Sequence, residues 1–159
     1  MIKRVYMKYQ KIFILSLASL FILSCGANKI VYPTQFEYNA NPQLILDEFI
    51  PYIETQGYKV LNKNDTRMTL RNQNGFYTAE YLETDWMNSG IFDEPSGNEF
   101  IIKQKVWIIL DSNQISVETV FGFIDGEEMV VFDSAPEELH KVVMALPEGL
   151  KQMIVSKAL

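Results

Sequence analysis

Few residues of this 159-residue chain belong to the types that catalyse reactions or bind metals. It has one histidine, His140, so any Ser-His-Asp or Cys-His arrangement would have to use that residue. Its one cysteine, Cys25, excludes an internal disulfide and a site built from several thiolates. No G-x-S-x-G, H-E-x-x-H, P-loop or G-x-G-x-x-G motif occurs. We therefore expect no catalytic residue, no metal site and no cofactor.

Carboxylates offer the remaining chemistry. The acidic run 93–99 (DEPSGNE) lacks the D-x-D-x-D-G alternation of a calcium loop, which favours a solvated loop. Carboxylate pairs that hydrolyse glycosides are defined by distance in space, so the sequence leaves a carboxylate-dependent hydrolase open as an alternative. His140 lies beside Glu137 and Lys141, off the apolar stripe of a predicted helix, where a solvent-facing residue is typical.

Residues 76–99 are the most unusual stretch for recognition. They contain five aromatic residues and six acids, but no Lys or Arg. The part from 84 to 98 has no clean helical or strand period and is predicted to be a long loop. Its apolar side chains either anchor a partner inside an acidic rim or fold back onto the core. The candidate binding residues in this loop are Trp86, Met87, Ile91 and Phe92.

The first elements that would position these residues are a helix and three strands. Asn41-Pro42 predicts a capped helix start, Gly57 predicts its end, and Pro51 predicts a kink or a break between them. Asn74-Gly75 is a strong two-residue hairpin signal, and the register that it sets places Met68 opposite Tyr81. The strands are predicted at 58–63, 67–73 and 76–82.

Three more strands are predicted at 99–111, 114–124 and 127–133. Alternation gives them one apolar core face and a mixed reverse face, which carries Trp107 and Met129 as a second candidate binding surface. Ser134 and Glu137 form a capping box for a final helix, which Pro147 is predicted to break. The predicted fold class is α+β: a two-layer sandwich with an antiparallel meander sheet of about six strands, and an N-terminal and a C-terminal helix packed on one face.

The chain begins with a predicted export signal. Residues 1–11 carry four bases and no acid, and residues 12–23 are apolar except for two serines. A helix of that apolar length covers about 18 Å, less than the roughly 30 Å of a bilayer core. Ile22-Leu23-Ser24-Cys25 resembles the lipobox of bacterial lipoproteins, which the type II signal peptidase cleaves. The resemblance implies cleavage before Cys25, a diacylglycerol thioether on its sulfur and an acylated amine.

This resemblance divides the chain into a signal peptide (1–24), a lipidated N-terminus with a short tether (25–36) and a single α+β domain (37–159). Gly26 follows the cysteine, which by analogy with Gram-negative sorting implies the outer membrane. Loss of the four signal bases would leave 10 of the 14 bases against 20 acids, a net charge of −10 instead of −6. This acidity argues against nucleic acid as a partner.

We therefore expect a non-enzymatic envelope lipoprotein, held at the membrane by its lipid anchor, whose domain binds a protein or small-ligand partner. The first alternative is an acidic immunity or inhibitor lipoprotein that neutralises a basic toxin or lytic enzyme, because electrostatic steering makes acidity useful for that role. The second alternative is the carboxylate-dependent hydrolase.

Overall fold

The computed structural model describes residues 34–72, 75–132 and 135–159. Within these ranges the chain has an open antiparallel sheet of seven strands and two helices, an α+β arrangement. In chain order, the elements are β1 (Thr34–Glu37), α1 (Pro42–Thr55), β2 (Arg67–Asn72), β3 (Gly75–Glu83), β4 (Met87–Phe92), β5 (Glu99–Ile109), β6 (Gln114–Asp125), β7 (Glu128–Val131) and α2 (Glu137–Lys157). The predicted signal peptide, the lipobox with Cys25, and Ser134 lie outside the described residues.

β5 and β6 form the centre of the sheet. They pair with each other from Ile101–Gly122 to Ile109–Gln114. The outer edge of β5 pairs with both β3 and β4, and the outer edge of β6 pairs with both β1 and β7. β2 lies beyond β3. The predicted strand at 58–63 is wrong, because only Val60 forms an isolated bridge, to Thr84.

The β2–β3 hairpin has the predicted strands but another register. Met68 lies opposite Ala79 rather than Tyr81. Gly75, with a φ of +131°, pairs with Asn72 inside the ladder instead of forming the turn. The shift is two residues, so every side chain keeps its predicted face.

Both helices continue through a proline. Asn41 caps α1 by accepting a 2.9 Å hydrogen bond from the Gln43 N–H, as predicted. The predicted break at Pro147 is wrong, and of the two alternatives at Pro51 the break is wrong, since each proline lies inside a continuous helix. Buried residues flank each proline along its helix, and their packing offsets the roughly 3 kcal/mol that an interior proline costs.

The core lies on one face of the sheet. Pairing places Val106 opposite Val117 and Ile108 opposite Ile115, all with no exposed surface. These residues belong to one buried cluster with side chains of both helices, which include Ile45, Phe49, Ile53, Leu139, Val143, Leu146 and Leu150. The predicted core face of β5 and β6 is confirmed. We call the other side of the sheet, which contains Lys105 and Trp107, the open face. Neither described helix is long and apolar enough to cross a membrane.

Candidate functional site

A β-bulge between β3 and β4 determines where the predicted binding residues point. Glu83 pairs with Lys105, but Met87 pairs with Ile102, so residues 84–86 face only two residues of β5. Thr84, 1% exposed, accepts a 2.9 Å hydrogen bond at its Oγ1 from the Gln104 N–H. The predicted loop at 84–98 is therefore wrong for Met87–Phe92, which form β4.

The four candidate residues of this segment are divided between different surroundings. Met87 and Ile91 are partly buried and pack against the core cluster. Trp86 is partly buried at the bulge, and its ring lies 5.9 Å from Nζ of Lys103 on the open face. Phe92 is 59% exposed. Of the two predicted alternatives, folding back onto the core thus applies to Met87 and Ile91, whereas Phe92 is exposed to a potential partner.

Five side chains form a connected group on the open face, which we call the aromatic cluster: Tyr81, Glu83, Trp86, Lys103 and Trp107. Tyr81 and Trp107 are paired across β3 and β5, and their ring centroids lie 5.3 Å apart. Lys103 forms an ion pair with Glu83, and its ammonium group also faces the ring of Trp86. The cluster brings Trp86 and Trp107, predicted as separate surfaces, onto one face.

The charges of the cluster are fixed by its geometry. The hydrogen bond from Lys103 is the main cause that holds the pKa of Glu83 below its ordinary value, and it outweighs partial burial. Burial, and next the hydrogen bond to Glu83, raise the pKa of Tyr81 well above its ordinary value. At neutral pH the cluster therefore presents a charged Glu83, held by Lys103, and a neutral Tyr81 phenol beside two indoles. Such an array suits recognition, because its polar groups are already oriented by one another.

The next row of the open face alternates in charge. Lys105 lies between Glu83 on β3 and Glu118 on β6 in the strand register. Cross-strand pairs of opposite sign stabilise a sheet. They also give this face a defined pattern of charge for a partner to match.

Met129 belongs to a different part of the open face. It pairs with Ile124 at the far end of β6, whereas Trp107 pairs with Ser116. Eight positions of a strand separate those two levels, a distance of about 27 Å. Met129, Ile124 and Val131 are 40%, 53% and 53% exposed and form an apolar patch at the β6–β7 hairpin. The predicted pairing of Met129 with Trp107 in one surface is therefore not seen.

Phe92 and Ile91 line a groove of about 300 Å³ between the β4–β5 turn and the start of α2. Phe100 and Pro136 also line it, together with acidic residues of both elements. We call this the turn groove.

The remaining residues that could do chemistry are His140 and the carboxylates of the described ranges. His140 is exposed on α2. Within the described ranges, no three His, Cys, Asp or Glu residues lie close enough together to hold a metal ion. In the same ranges, each buried side-chain nitrogen or oxygen has a hydrogen-bond partner.

No protein-family model matches the chain, and neither a curated protein nor a solved structure matches it. Sequence reasoning missed Tyr81, Glu83 and Lys103 as members of the site. The alternation of β5 already places Lys103 on the same face as Trp107. This signal could have identified Lys103 as a member of the site. The position of Trp86 depends on the bulge, which shows in the sequence only as a loss of period.

Proposed function

We propose that this chain is a lipid-anchored, non-enzymatic binding protein of the bacterial cell envelope. Its sheet, layered on the two helices, presents the open face to a protein partner. The observation that carries the proposal is the aromatic cluster, in which Trp86 and Trp107 flank an ion pair on the sheet face opposite the two described helices. Tryptophan and tyrosine dominate the binding energy of protein interfaces, and residues held in place before binding lose little entropy.

The shape and charge of the open face favour a protein over a small ligand. Small-molecule sites are concave and enclose most of their ligand, whereas the aromatic cluster lies across the strands of an open sheet. The alternating row of Glu83, Lys105 and Glu118 extends the surface beyond the cluster. A protein partner would contact the cluster and this row together.

The predicted anchor limits where such a partner lies. Thr34 begins β1 nine positions after Cys25. An extended chain covers at most about 3.6 Å per residue, so β1 would begin within about 32 Å of the lipidated sulfur. We propose the outer membrane of a Gram-negative bacterium as the site of attachment, on the basis of Gly26 after the lipobox. The partner would then be a protein of, or close to, that membrane.

Photo-crosslinking in intact cells tests the proposal. A photoreactive residue replaces Lys105 on the open face or, as a control, exposed Gln152 on α2. We expect one crosslinked envelope protein from position 105 and none from position 152. Trp86→Ala with Trp107→Ala should abolish this product, while Phe76→Ala, at an aromatic residue 74% exposed outside the cluster, should not.

Two results would contradict the proposal: the same product from position 152, or a product that survives loss of both tryptophans. If the double variant does not accumulate in cells, Glu118→Gln provides the test. It removes one charge of the row without placing two bases opposite each other, and it keeps all five residues of the aromatic cluster. We expect it to weaken the crosslink from position 105 while the melting temperature changes little.

A further inference from the structure

We infer that the turn groove is a second binding site, which accepts an arginine or lysine side chain from an extended peptide segment of a partner. This inference goes beyond the proposed function, because the groove is separate from the aromatic cluster and the chemistry of its ligand is specified.

The groove has apolar walls. Ile91, Phe92 and Phe100 line it, with Pro95 and Pro136 on its two sides. Phe100 is 2% exposed, and its ring contacts Phe123 and Phe132 edge-on at centroid distances of 5.8 and 5.9 Å. The groove volume of about 300 Å³ is at the lower end of the range for ligand pockets. It therefore suits one long side chain whose methylene groups pack on apolar surface.

The rim of the groove is acidic. Asp93 and Glu94 come from the β4–β5 turn, and Glu138 comes from the first turn of α2. None of the described residues that line the groove is a base, and Lys141 follows Glu138 by three positions on α2. Carboxylates from two separate elements thus surround an apolar interior, and this arrangement is complementary to a cation on an apolar stem.

Hydrogen bonds hold the turn side of the groove in place. The Asp93 N–H donates to the Asn98 carbonyl at 2.8 Å, and the Gly97 N–H donates to the Asp93 carbonyl at 2.7 Å. Ser96 donates to Oδ2 of Asp93 from its hydroxyl at 2.6 Å and from its N–H at 3.0 Å. A ligand would not need to order this turn, so little of the binding energy is lost to conformational entropy.

Phe92 favours arginine over lysine in this site. Its ring is 59% exposed beside the acidic rim, and a guanidinium group stacks on an aromatic face while it donates to carboxylates. An ammonium group offers no planar surface for this stacking.

The test uses the full chain in detergent micelles with three probe peptides: acetyl-Leu-Arg-Leu-amide, its lysine analogue and its citrulline analogue, which keeps the shape of arginine without the charge. Binding is followed by the NMR resonance of the Ile91 methyl groups. We expect saturable shifts with arginine, weaker binding with lysine, and loss of about tenfold or more in affinity with citrulline. Added salt should weaken the arginine complex, because its rim charges are exposed.

Matched variants separate the groove from general acidity. Glu94→Gln with Glu138→Gln should weaken arginine-peptide binding about tenfold. Glu127→Gln with Glu128→Gln removes the same charge at the exposed β6–β7 turn and should leave the affinity unchanged. Trp86→Ala with Trp107→Ala should also leave it unchanged, so failure here is distinguishable from failure of the proposed function.

Equal binding of the citrulline peptide would overturn the inference, as would full affinity in the Glu94→Gln, Glu138→Gln variant. If that variant instead changes the sedimentation of the chain and not its peptide affinity, the groove holds a second copy, and the inference is wrong. Circular dichroism checks that each variant is folded; the two groove substitutions lie at exposed positions.

Discussion

Tyr81 on β3 and Trp107 on β5 are paired across two strands, with their ring centroids 5.3 Å apart and their planes inclined by 34°. The Tyr81 hydroxyl also hydrogen-bonds to Glu83, which forms the ion pair with Lys103. Glu83 therefore connects the aromatic contact to the ion pair. A change in the protonation of Glu83 acts on both.

The stability of the fold should respond to acid through Glu83. Its pKa lies below the ordinary value near 4.5, mainly because of the Lys103 hydrogen bond. A carboxyl group with a lowered pKa stabilises the fold above its unfolded-state pKa, and that contribution disappears as the pH falls through the folded-state value. We expect Glu83→Gln to lower the melting temperature at neutral pH and to have little effect below the folded-state pKa.

Thermal unfolding followed by circular dichroism across the acid range measures this effect. The side chain of Glu83 is 29% exposed, so solvent reduces the effect. Glu127→Gln, at an exposed turn position, is the matched control and should leave the pH profile parallel to that of the parent chain. A loss of stability in Glu83→Gln that is equal at acid and neutral pH would contradict the prediction.

A buried hydrogen-bond network should make Gln104 costly to replace. Gln104 has no exposed surface; its Oε1 accepts from the Thr119 hydroxyl at 2.8 Å, and its Nε2 donates to the Tyr58 hydroxyl at 3.2 Å. Gln104→Leu leaves both hydroxyls without this partner, at about 1–3 kcal/mol for each buried group. Urea unfolding should show a clear fall in the unfolding free energy.

A double-mutant cycle checks that the loss of this hydrogen-bond network causes the fall in unfolding free energy. Gln104→Leu with Thr119→Val removes one of the unpaired hydroxyls, so it should cost less than the sum of the two single changes. Additive costs would mean that the hydrogen bond between these side chains does not account for the loss.

The parts of the fold that the sequence predicts are those where alternation is uninterrupted. Every second residue from Ile102 to Ile108 and from Val117 to Phe121 is buried against the core, as expected. The bulge at residues 84–86 adds one residue relative to β5, so the alternation of β3 does not continue in the same phase into β4. Pro147 is a helix breaker by local propensity, but it is buried in α2 beside Leu146 and Leu150, and this packing outweighs that preference.

The candidate site can also be predicted from the sequence only where a strand alternates regularly. Trp107 follows from alternation along β5, and Phe92 and Met129 have exposed side chains in the structure. The contact of Trp86 with Lys103 joins residues 17 positions apart. It depends on strand pairing, which the sequence pattern does not specify.

Gly122 and Gly149 each lie close to another part of the chain, and replacing them with alanine should lower the unfolding free energy by different amounts. A Cβ at Gly122 would overlap the backbone carbonyl of Val130 on β7, which is held by the β6–β7 pairing. A Cβ at Gly149 would overlap the Tyr52 hydroxyl, the far end of a side chain. We expect Gly122→Ala to destabilise by more than about 2 kcal/mol, as for overpacked sites. Gly149→Ala should cost less, because alanine favours the helix by about 1 kcal/mol.

Chemical denaturation of the two variants measures the difference. Gly149→Ala combined with Tyr52→Phe, which removes the overlapping hydroxyl, should be more stable than Gly149→Ala alone. Equal costs for Gly122→Ala and Gly149→Ala would contradict the distinction between a backbone overlap and a side-chain overlap.

A lipid on Cys25 should determine in which cell fraction the protein is found. If Cys25 carries the lipid, Cys25→Ser should move the protein from the membrane fraction to the soluble envelope fraction, since acyl chains provide the attachment. Mass spectrometry of the parent chain should show an N-terminus at residue 25 with the mass of a diacylglycerol thioether and an amide-linked acyl chain. An inhibitor of the type II signal peptidase should leave residues 1–24 attached.

Ser24→Thr, which keeps the thiol, is the matched control and should stay in the membrane fraction. Two results together would contradict the prediction: Cys25→Ser stays in the membrane fraction, and the parent chain incorporates no labelled palmitate. They would mean that the first 24 residues, rather than a lipid, hold the domain at the membrane.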